Sequence, residues 1–550
     1  MNGRLPVTIL KTCRWFKKGL YAVCFLFFVL GISVSFQGAA RAGVQEPYLN
    51  DGAQLSYGVF LLSDGDLRGA AREFQRLIEE FPASPLLPKA QFNMAEALFK
   101  AGHIRDAERN FRFFISNFGA REPLLQARAV ERVNEAMRIR PPIKAFEGRR
   151  KAGLPVVMLE PEPALPPSTE SLRAVQVMLF GGKGIEDVSG EMRRLKQAGV
   201  NTVIFRVFHN EGDRFHRGVA PPADKRSGVY FNTLRAPVVA DILSGVAEAA
   251  HRNGLKIFAW MTTRYADYGI EGREELQCKG YDIGMGGGGL TRCKGLDLFN
   301  DAAARRIDGI YSDLAEYEID GVLFQDDLVL RHNEGFGKYA AALFRKETGE
   351  GLRPEAMYLR SADTDAVQYT PLFWKWAAWK NRRLLHVANT ARAAVKKKRP
   401  EAKFAINLMY ESVSNPANSL AWLSQSLGAA VKEGFDYYSI MAYHRQMASE
   451  LSKNPAEVKA LIEKIAADAS RTAGDAGKVL IKFQTVDWET GQPLSNGEVA
   501  ELIRAVKGLK GISLAVVPYR RDFPFYELGE SGGPARARFK RGAGAVARLD

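Results

Sequence analysis

The stretch DGVLFQDDLVLRHNEGFG, residues 320–337, decides the fold prediction because an apolar run ends abruptly within it. The apolar residues 322–324 are followed at once by Gln325, Asp326 and Asp327. A surface turn produces such a pattern, and so does a barrel in which a buried strand delivers carboxylates to the mouth. The distribution of similar runs along the chain distinguishes the two possibilities.

Seven further apolar runs occur between residues 174 and 519, and patterns typical of helices separate them. The eight runs are residues 174–182, 202–208, 256–263, 321–327, 403–410, 436–444, 479–488 and 512–519. Continuous apolar strands are typical of a parallel sheet covered by helices on both faces. Eight such units predict an α/β fold, a (β/α)8 TIM-type barrel over residues 174–528. A doubly wound sheet is the alternative, but the glycines after the first run lack the full dinucleotide-binding spacing.

In a barrel of this kind the carboxyl ends of the strands form one rim, where active sites lie. Polar and aromatic residues end the other predicted strands as well. We assign to substrate binding Arg206, His209, Trp260, Tyr443, Asp487 and Trp488. Aromatic rings stack on sugar faces and carboxylates bind hydroxyls or amines, so this mixture suits carbohydrate. Each residue alone also fits a role in the core or in a loop; their convergence on one rim favours a site.

From about residue 174 to residue 525 the chain resembles the C-terminal glycoside-hydrolase domain of the PgaB family, periplasmic poly-β-1,6-N-acetylglucosamine deacetylases of biofilm export. The matching stretches are GVYFNTLRAPVVADILS (228–244), KIFAWM (256–261), DGVLFQDDLVL (320–330) and VLIKFQTVDWETGQPLSNGEVAELI (479–503). The resemblance implies a domain that hydrolyses or binds partly deacetylated poly-β-1,6-N-acetylglucosamine. It also implies that Asp326 and Asp327 lie at the polymer cleft.

The chain departs from that family in two respects. Nothing in its N-terminal part matches the metal-binding deacetylase domain, since the seven histidines are scattered and form no His-x-x-x-His pair. We therefore expect no deacetylase activity. The family segment after the paired aspartates is also usually more acidic, whereas here His332 and Asn333 stand beside Glu334. The identity of the second catalytic carboxylate therefore stays open.

Cleavage of a glycosidic bond usually takes an acid and a second carboxylate. Neighbouring residues on a strand point to opposite faces, so we expect one of Asp326 and Asp327 to face the cleft as general acid. Glu334 or Asp487 is the candidate second carboxylate, and the reaction requires no metal or organic cofactor. A non-catalytic polysaccharide-binding module and an envelope scaffold are the alternatives.

Residues 43–140 predict an all-α domain of helical repeats. Residues 65–82 match residues 102–119 at a period of 37, with Phe74 aligned on Phe111 and a small residue, Gly58 or Ala95, preceding each. This resembles the tetratricopeptide pattern, whose repeats bind peptides or other proteins, so we expect envelope or export proteins as partners. A helical spacer is the alternative. Residues 141–173 are rich in proline and predict a stiff linker.

The first 42 residues are typical of an export signal, with basic residues, an apolar run and the small-x-small pattern of residues 40–42. An uncleaved membrane anchor is the alternative. Either way we expect the body in the periplasm or associated with the outer membrane, and no nucleic-acid partner. Without these residues the net charge falls from +15 to +9, and a basic, disordered tail at residues 529–550 carries part of the remainder.

Two of the four cysteines, Cys13 and Cys24, fall in the predicted export signal. Cys278 and Cys293 remain, and they flank a glycine-rich segment. In an oxidising compartment we expect these two to form a disulfide that closes the segment, with two free thiols as the alternative.

Overall fold

The computed structural model describes residues 50–139, 169–182, 184–216, 219, 227–284, 288–360 and 367–529 of the 550-residue chain. The predicted export signal lies outside the described residues. So do nearly all of the predicted linker and of the predicted basic tail. Within the described ranges, no helix is both long and apolar enough to cross a membrane.

The N-terminal part of the described chain is entirely helical. Its helices are α1 (Asp51–Asp64), α2 (Leu67–Glu80), α3 (Leu87–Lys100), α4 (Ile104–Phe118) and α5 (Pro123–Ile139). Helices α2 and α4 start 37 residues apart, which matches the period in the sequence. Phe74 and Phe111 are both fully buried, and a Cβ built on Gly58 would come within 2.6 Å of the Phe74 ring. The small residue therefore permits the close approach of α1 to α2.

Eight parallel strands then close into a barrel, and each coincides with one of the eight predicted runs. They are β1 (Arg173–Val177), β2 (Thr202–Arg206), β3 (Lys256–Met261), β4 (Gly321–Phe324), β5 (Lys403–Met409), β6 (Tyr437–Met441), β7 (Val479–Gln484) and β8 (Ser513–Val517). Each strand pairs with its neighbours in sequence, and β1 pairs with β8 to close the sheet. The predicted (β/α)8 barrel is confirmed, and the open sheet is excluded.

Helices on the loops between the strands surround the barrel. They are α6 (Ile185–Gln197), α7 (Leu243–Arg252), α8 (Asp301–Leu314), α9 (Lys338–Thr348), α10 (Pro371–Lys396), α11 (Glu411–Ser414), α12 (Pro416–Leu423), α13 (Leu427–Lys432), α14 (His444–Leu451), α15 (Pro455–Ala473) and α16 (Asn496–Val506). The connections after β4 and β6 carry two helices each, and the connection after β5 carries three.

The two faces of the barrel strands differ in polarity. The outward face is apolar, and Phe324 of β4, for example, packs on Tyr311 of α8. The inward face carries buried polar side chains, including Asn407 of β5 and Lys482 of β7. The Nζ of Lys482 donates to the Oδ1 of Asn407 at 3.0 Å, although β6 lies between the two strands. Such a bond between strands that are not neighbours has to run through the barrel interior.

Three short hairpins that the sequence did not indicate lie on the loops. They are Phe208–His209 with Gly228–Val229, Gln277–Tyr281 with Leu290–Leu296, and Tyr358–Arg360 with Val367–Tyr369. A disulfide between Cys278 and Cys293 joins the two strands of the second hairpin. The bridge therefore cross-links the loop between β3 and β4, and the paired aspartates follow β4.

The helical repeats pack directly on the barrel domain. The indole Nε1 of Trp374 in α10 donates to the hydroxyl of Ser56 at 2.9 Å, and the indole ring lies 4.9 Å from the ring of Tyr57. The Arg76 guanidinium donates to the carbonyl oxygen of Ser414 at the end of α11. The repeats thus contact elements that follow β4 and β5.

Two glycine-to-alanine substitutions test the packing of the repeats. Gly58→Ala is expected to lower the free energy of unfolding by about 1–3 kcal/mol, because the new methyl group overlaps the buried Phe74 ring. Gly190→Ala in α6 is the matched control: its Cβ meets no atom of the described residues within 4 Å outside its own helix. There the higher helix propensity of alanine should raise stability by about 0.5–1 kcal/mol. Urea denaturation measures both, and a gain in both variants would contradict the packing described above.

Candidate active site

Lys482 lies buried at the barrel mouth, with 1% of its surface exposed. Besides its bond to Asn407, its Nζ lies 5.9 Å from the centre of the Tyr443 ring. Burial lowers the pKa of Lys482 to about 7, and the nearby carboxylate of Asp326 partly opposes that shift. The interior of the mouth therefore holds an ammonium group that has few neighbours of opposite charge.

Asp326 follows β4 and is half-buried. Its carboxylate acts on Lys482 and also on Tyr443, whose pKa is raised well above its usual range by burial and then by Asp326. These residues follow or lie on β4, β6 and β7, so the Asp326 side chain faces the space that the strand ends enclose. Asp326 is the member of the aspartate pair that a ligand in the mouth would meet.

Asp327 points the other way and is 1% exposed. Its Oδ2 accepts hydrogen bonds from the Thr262 hydroxyl at 2.5 Å, the Thr263 amide at 2.7 Å and the Tyr265 amide at 2.8 Å. Burial raises the pKa of Asp327 to about 6, against the effect of these three bonds. Asp327 therefore holds the loop after β3. Both aspartates lie in the turn that follows β4, so the geometry of that turn, not strand alternation, directs them apart.

Aromatic and apolar side chains form one wall of the mouth. Tyr443 and Trp488 meet edge to face with ring centres 5.5 Å apart. They belong to a small cluster, separate from the main core, with Val329, Met409, Leu423, Met441, Val517 and the partly exposed Trp422. His332 stacks on Trp422 at 3.9 Å. Partly exposed indoles beside a half-buried carboxylate give the mouth the surfaces that sugar recognition uses.

Both candidates for a second carboxylate are engaged in holding loops. Glu334 pairs with the fully buried guanidinium of Arg264 at 2.8 Å and accepts from the Arg331 amide at 3.1 Å. The Oδ1 of Asp487 accepts from the amides of Glu489 and Thr490, both at 2.9 Å. These contacts use one oxygen of each carboxylate, Oε2 of Glu334 and Oδ1 of Asp487.

Three residues assigned to sugar binding are buried and bond to other residues of the protein. Arg206 is buried and pairs with Asp213 at 3.2 Å. His209 is buried as well, its Nδ1 lies 2.7 Å from the Tyr230 hydroxyl, and burial lowers its pKa to about 4. The Trp260 indole donates to the side chain of Gln325. The structure thus shows all three residues buried and bonded within the protein, whereas Trp488 beside Tyr443 is partly exposed.

Sequence reasoning missed Lys482, Asn407 and Trp422. A lysine within an otherwise apolar strand was the available signal for Lys482, since a period of two places it on the same face as Gln484. No comparable signal existed for Trp422, because its position depends on the loop between β5 and β6.

The barrel and its mouth are those of the glycoside-hydrolase class. A model of the family described as hypothetical glycosyl hydrolase family 13 (GHL13) matches residues 187–515. The chain belongs to that family. A search of curated proteins found no match.

Solved structures with a similar fold include the glycoside hydrolase domain of PgaB (BpsB) from Bordetella bronchiseptica. It is 22% identical at a TM-score of 0.51, over 67% of this chain and 97% of that one. The catalytic domain of β-amylase from Paenibacillus polymyxa is 11% identical at a TM-score of 0.42, over 69% and 100% of the two chains. The resemblance to the PgaB domain is therefore confirmed at the level of the fold.

The pH dependence of stability tests the burial of His332 beneath Trp422. Burial and then the cations Lys380 and Arg331 lower its pKa to about 3 in the folded protein. Between that value and the ordinary pKa of about 6.5, the unfolded chain binds a proton that the folded chain does not. The free energy of unfolding must therefore fall as the pH falls through this window.

Between pH 7 and pH 5 the wild type should lose about 2 kcal/mol more than a His332→Gln variant, whose side chain does not titrate. Urea denaturation at the two pH values gives the difference. Other histidines with lowered pKa values, such as His209 and His216, contribute equally to both proteins and cancel. Identical pH dependence in the two proteins would contradict the burial of a neutral His332.

Proposed function

We propose that this protein is an exported glycosidase that cleaves an amino-sugar exopolysaccharide such as partly deacetylated poly-β-1,6-N-acetylglucosamine. The observation that carries the proposal is the position of Asp326, a half-buried carboxylate at the end of β4 that faces the barrel mouth beside Tyr443 and Trp488. Membership of a glycosyl hydrolase family supports it. The resemblance to the PgaB domain suggests the polymer.

The residues of the mouth have complementary roles in this proposal. Trp488 and Trp422 offer ring faces and edges to sugar units. Asp326 exchanges a proton with the glycosidic oxygen or with a water molecule. Asp327 keeps the loop after β3 in place through its three hydrogen bonds. The second carboxylate is Glu334 or Asp487, and no cofactor takes part.

We further propose that the helical repeats recruit envelope or export proteins, and that the protein acts in the periplasm or at the outer membrane. An uncleaved export signal would add membrane association. The repeats contact elements that follow β4 and β5, so a partner held by the repeats would stand close to the barrel mouth.

A second candidate function is that of a non-catalytic polysaccharide-binding or export module. The engagement of Glu334 by Arg264, and of Asp487 by two backbone amides, favours it. Under this alternative Asp326 binds the polymer, and no bond is cleaved.

Incubation of the purified protein with partly deacetylated poly-β-1,6-N-acetylglucosamine tests the proposal. The wild type should shorten the chains, as measured by size exclusion and by new reducing ends. Asp326→Asn should lower turnover about a hundredfold or more, which is the scale of losing a positioned acid or base. Its melting temperature should stay close to that of the wild type, because the side chain is only half-buried.

The matched control is Asp436→Asn, since Asp436 lies just before β6 at the opposite end of the barrel, where its carboxylate accepts from the Phe404 amide at 2.9 Å. This variant should lose stability and keep its turnover per folded molecule. Glu334→Gln and Asp487→Asn identify the second carboxylate by which of them abolishes cleavage. Binding of the polymer without shortening would favour the export module. Equal turnover in the wild type and Asp326→Asn would remove Asp326 from the chemistry.

A further inference from the structure

The ammonium of Lys482 is fixed in the floor of the barrel mouth. Its strand, β7, is paired on both sides, and its Nζ donates to Asn407 at 3.0 Å. The side chain is 1% exposed, so it cannot swing out into solvent without leaving the barrel interior. A positive charge therefore has a set position beside Asn407 and Tyr443, near enough to Asp326 for the two charges to interact.

This ammonium changes what the carboxylate of Asp326 can attract. A carboxylate alone in a partly buried cleft draws a protonated amine and discriminates against its neutral acetamide. A fixed cation nearby offsets that field and repels a second cation, and both effects are stronger in a partly buried site than in water. An N-acetyl group carries no charge, so it feels neither effect.

We propose that Lys482 is a specificity-determining residue: its ammonium offsets the carboxylate of Asp326, so that the sugar unit beside Asp326 carries an N-acetyl group rather than a free, protonated amine. The inference rests on the proposed function, because it takes an amino-sugar polymer as the ligand. It assigns to this position the acetylated units of a partly deacetylated chain. The aromatic wall of Tyr443 and Trp488, next to the ammonium, suits the methyl group of the acetamide.

A second buried lysine provides a matched comparison. Lys380 of α10 is as deeply buried as Lys482, and burial lowers its pKa to about 7 as well. Its Nζ, however, donates to the carbonyl oxygens of Arg331 at 2.6 Å and Glu334 at 3.3 Å. Lys380 thus holds the loop after β4. Substitution of Lys380 removes a buried ammonium, as substitution of Lys482 does, but it leaves the charge beside Asp326 unchanged.

The proposal is tested with two short β-1,6-linked oligomers, one fully N-acetylated and one fully deacetylated. The affinity of the full chain for each oligomer is measured. Calorimetry at about pH 6 keeps both Lys482 and the free sugar amines mostly protonated. Lys482→Met should raise affinity for the deacetylated oligomer about tenfold and leave affinity for the acetylated one within about twofold. Lys482→Gln, which can still donate to Asn407, should do the same and covers the case in which the methionine variant does not fold.

Substitution of Asp326 should change the affinity for the deacetylated oligomer in the opposite direction. Asp326→Asn leaves the ammonium of Lys482 without its counter-charge, so affinity for the deacetylated oligomer should fall about tenfold. The double variant, Asp326→Asn with Lys482→Met, has neither charge and should show about the wild-type ratio of the two affinities. If the second substitution cancels the effect of the first, the double-mutant cycle shows that the two charges interact. Lys380→Met should leave the ratio unchanged.

The outcomes separate the inference from the proposed function. If the wild type binds neither oligomer, the proposed amino-sugar ligand is wrong, and the inference is wrong with it. If the oligomers bind but neither Lys482 variant changes the ratio of the two affinities, the proposed function stands and the role of Lys482 is overturned. An unchanged ratio in Asp326→Asn would overturn it equally, without any substitution of the lysine.

Discussion

Alternate side chains of a strand in a closed parallel barrel must point to opposite faces, and the candidate site depends on that constraint. The outward face packs on helices, as Phe324 does on Tyr311. The inward face can then hold polar groups that bond to one another across the interior, as Lys482 does with Asn407. The turn after β4 then directs Asp326 to the mouth and Asp327 to the buried side behind it.

The loops of the rim are held by buried charges rather than by apolar packing alone. Asp327 binds two amides and a hydroxyl of the loop after β3. Arg264 of that loop pairs with Glu334 and also donates to the carbonyl oxygens of Val329 and Lys294. Removal of one member of such a pair leaves a buried charge without its partner, which typically costs 3–5 kcal/mol. The rigidity of the mouth therefore depends on residues that need not touch a ligand.

The barrel could be predicted from the sequence because each of its strands is a continuous apolar run. The repeats could be predicted from the period of 37 residues, which arises because a small residue such as Gly58 must pack against an aromatic ring such as that of Phe74. Most of the predicted runs continued two to four residues past the strand ends, since the loops that follow are buried too. The partners of Glu334 and Asp487 could not be predicted. Those contacts depend on how loops distant in sequence fold over the rim. Local sequence patterns do not encode the arrangement of such loops.

The position of the repeats bears on the site because aromatic contacts connect the two. Tyr57 of α1 packs on Trp374, which packs on Tyr369 at 5.6 Å. The Tyr369 hydroxyl lies 3.1 Å from the Nδ1 of His332, and His332 stacks on Trp422 in the wall of the mouth. Contact with α10 therefore holds the repeats against the barrel domain. Closely packed side chains have low compressibility, so these rings hold one another in place. The contacts thus indicate a single packed body in which the repeats support one wall of the site.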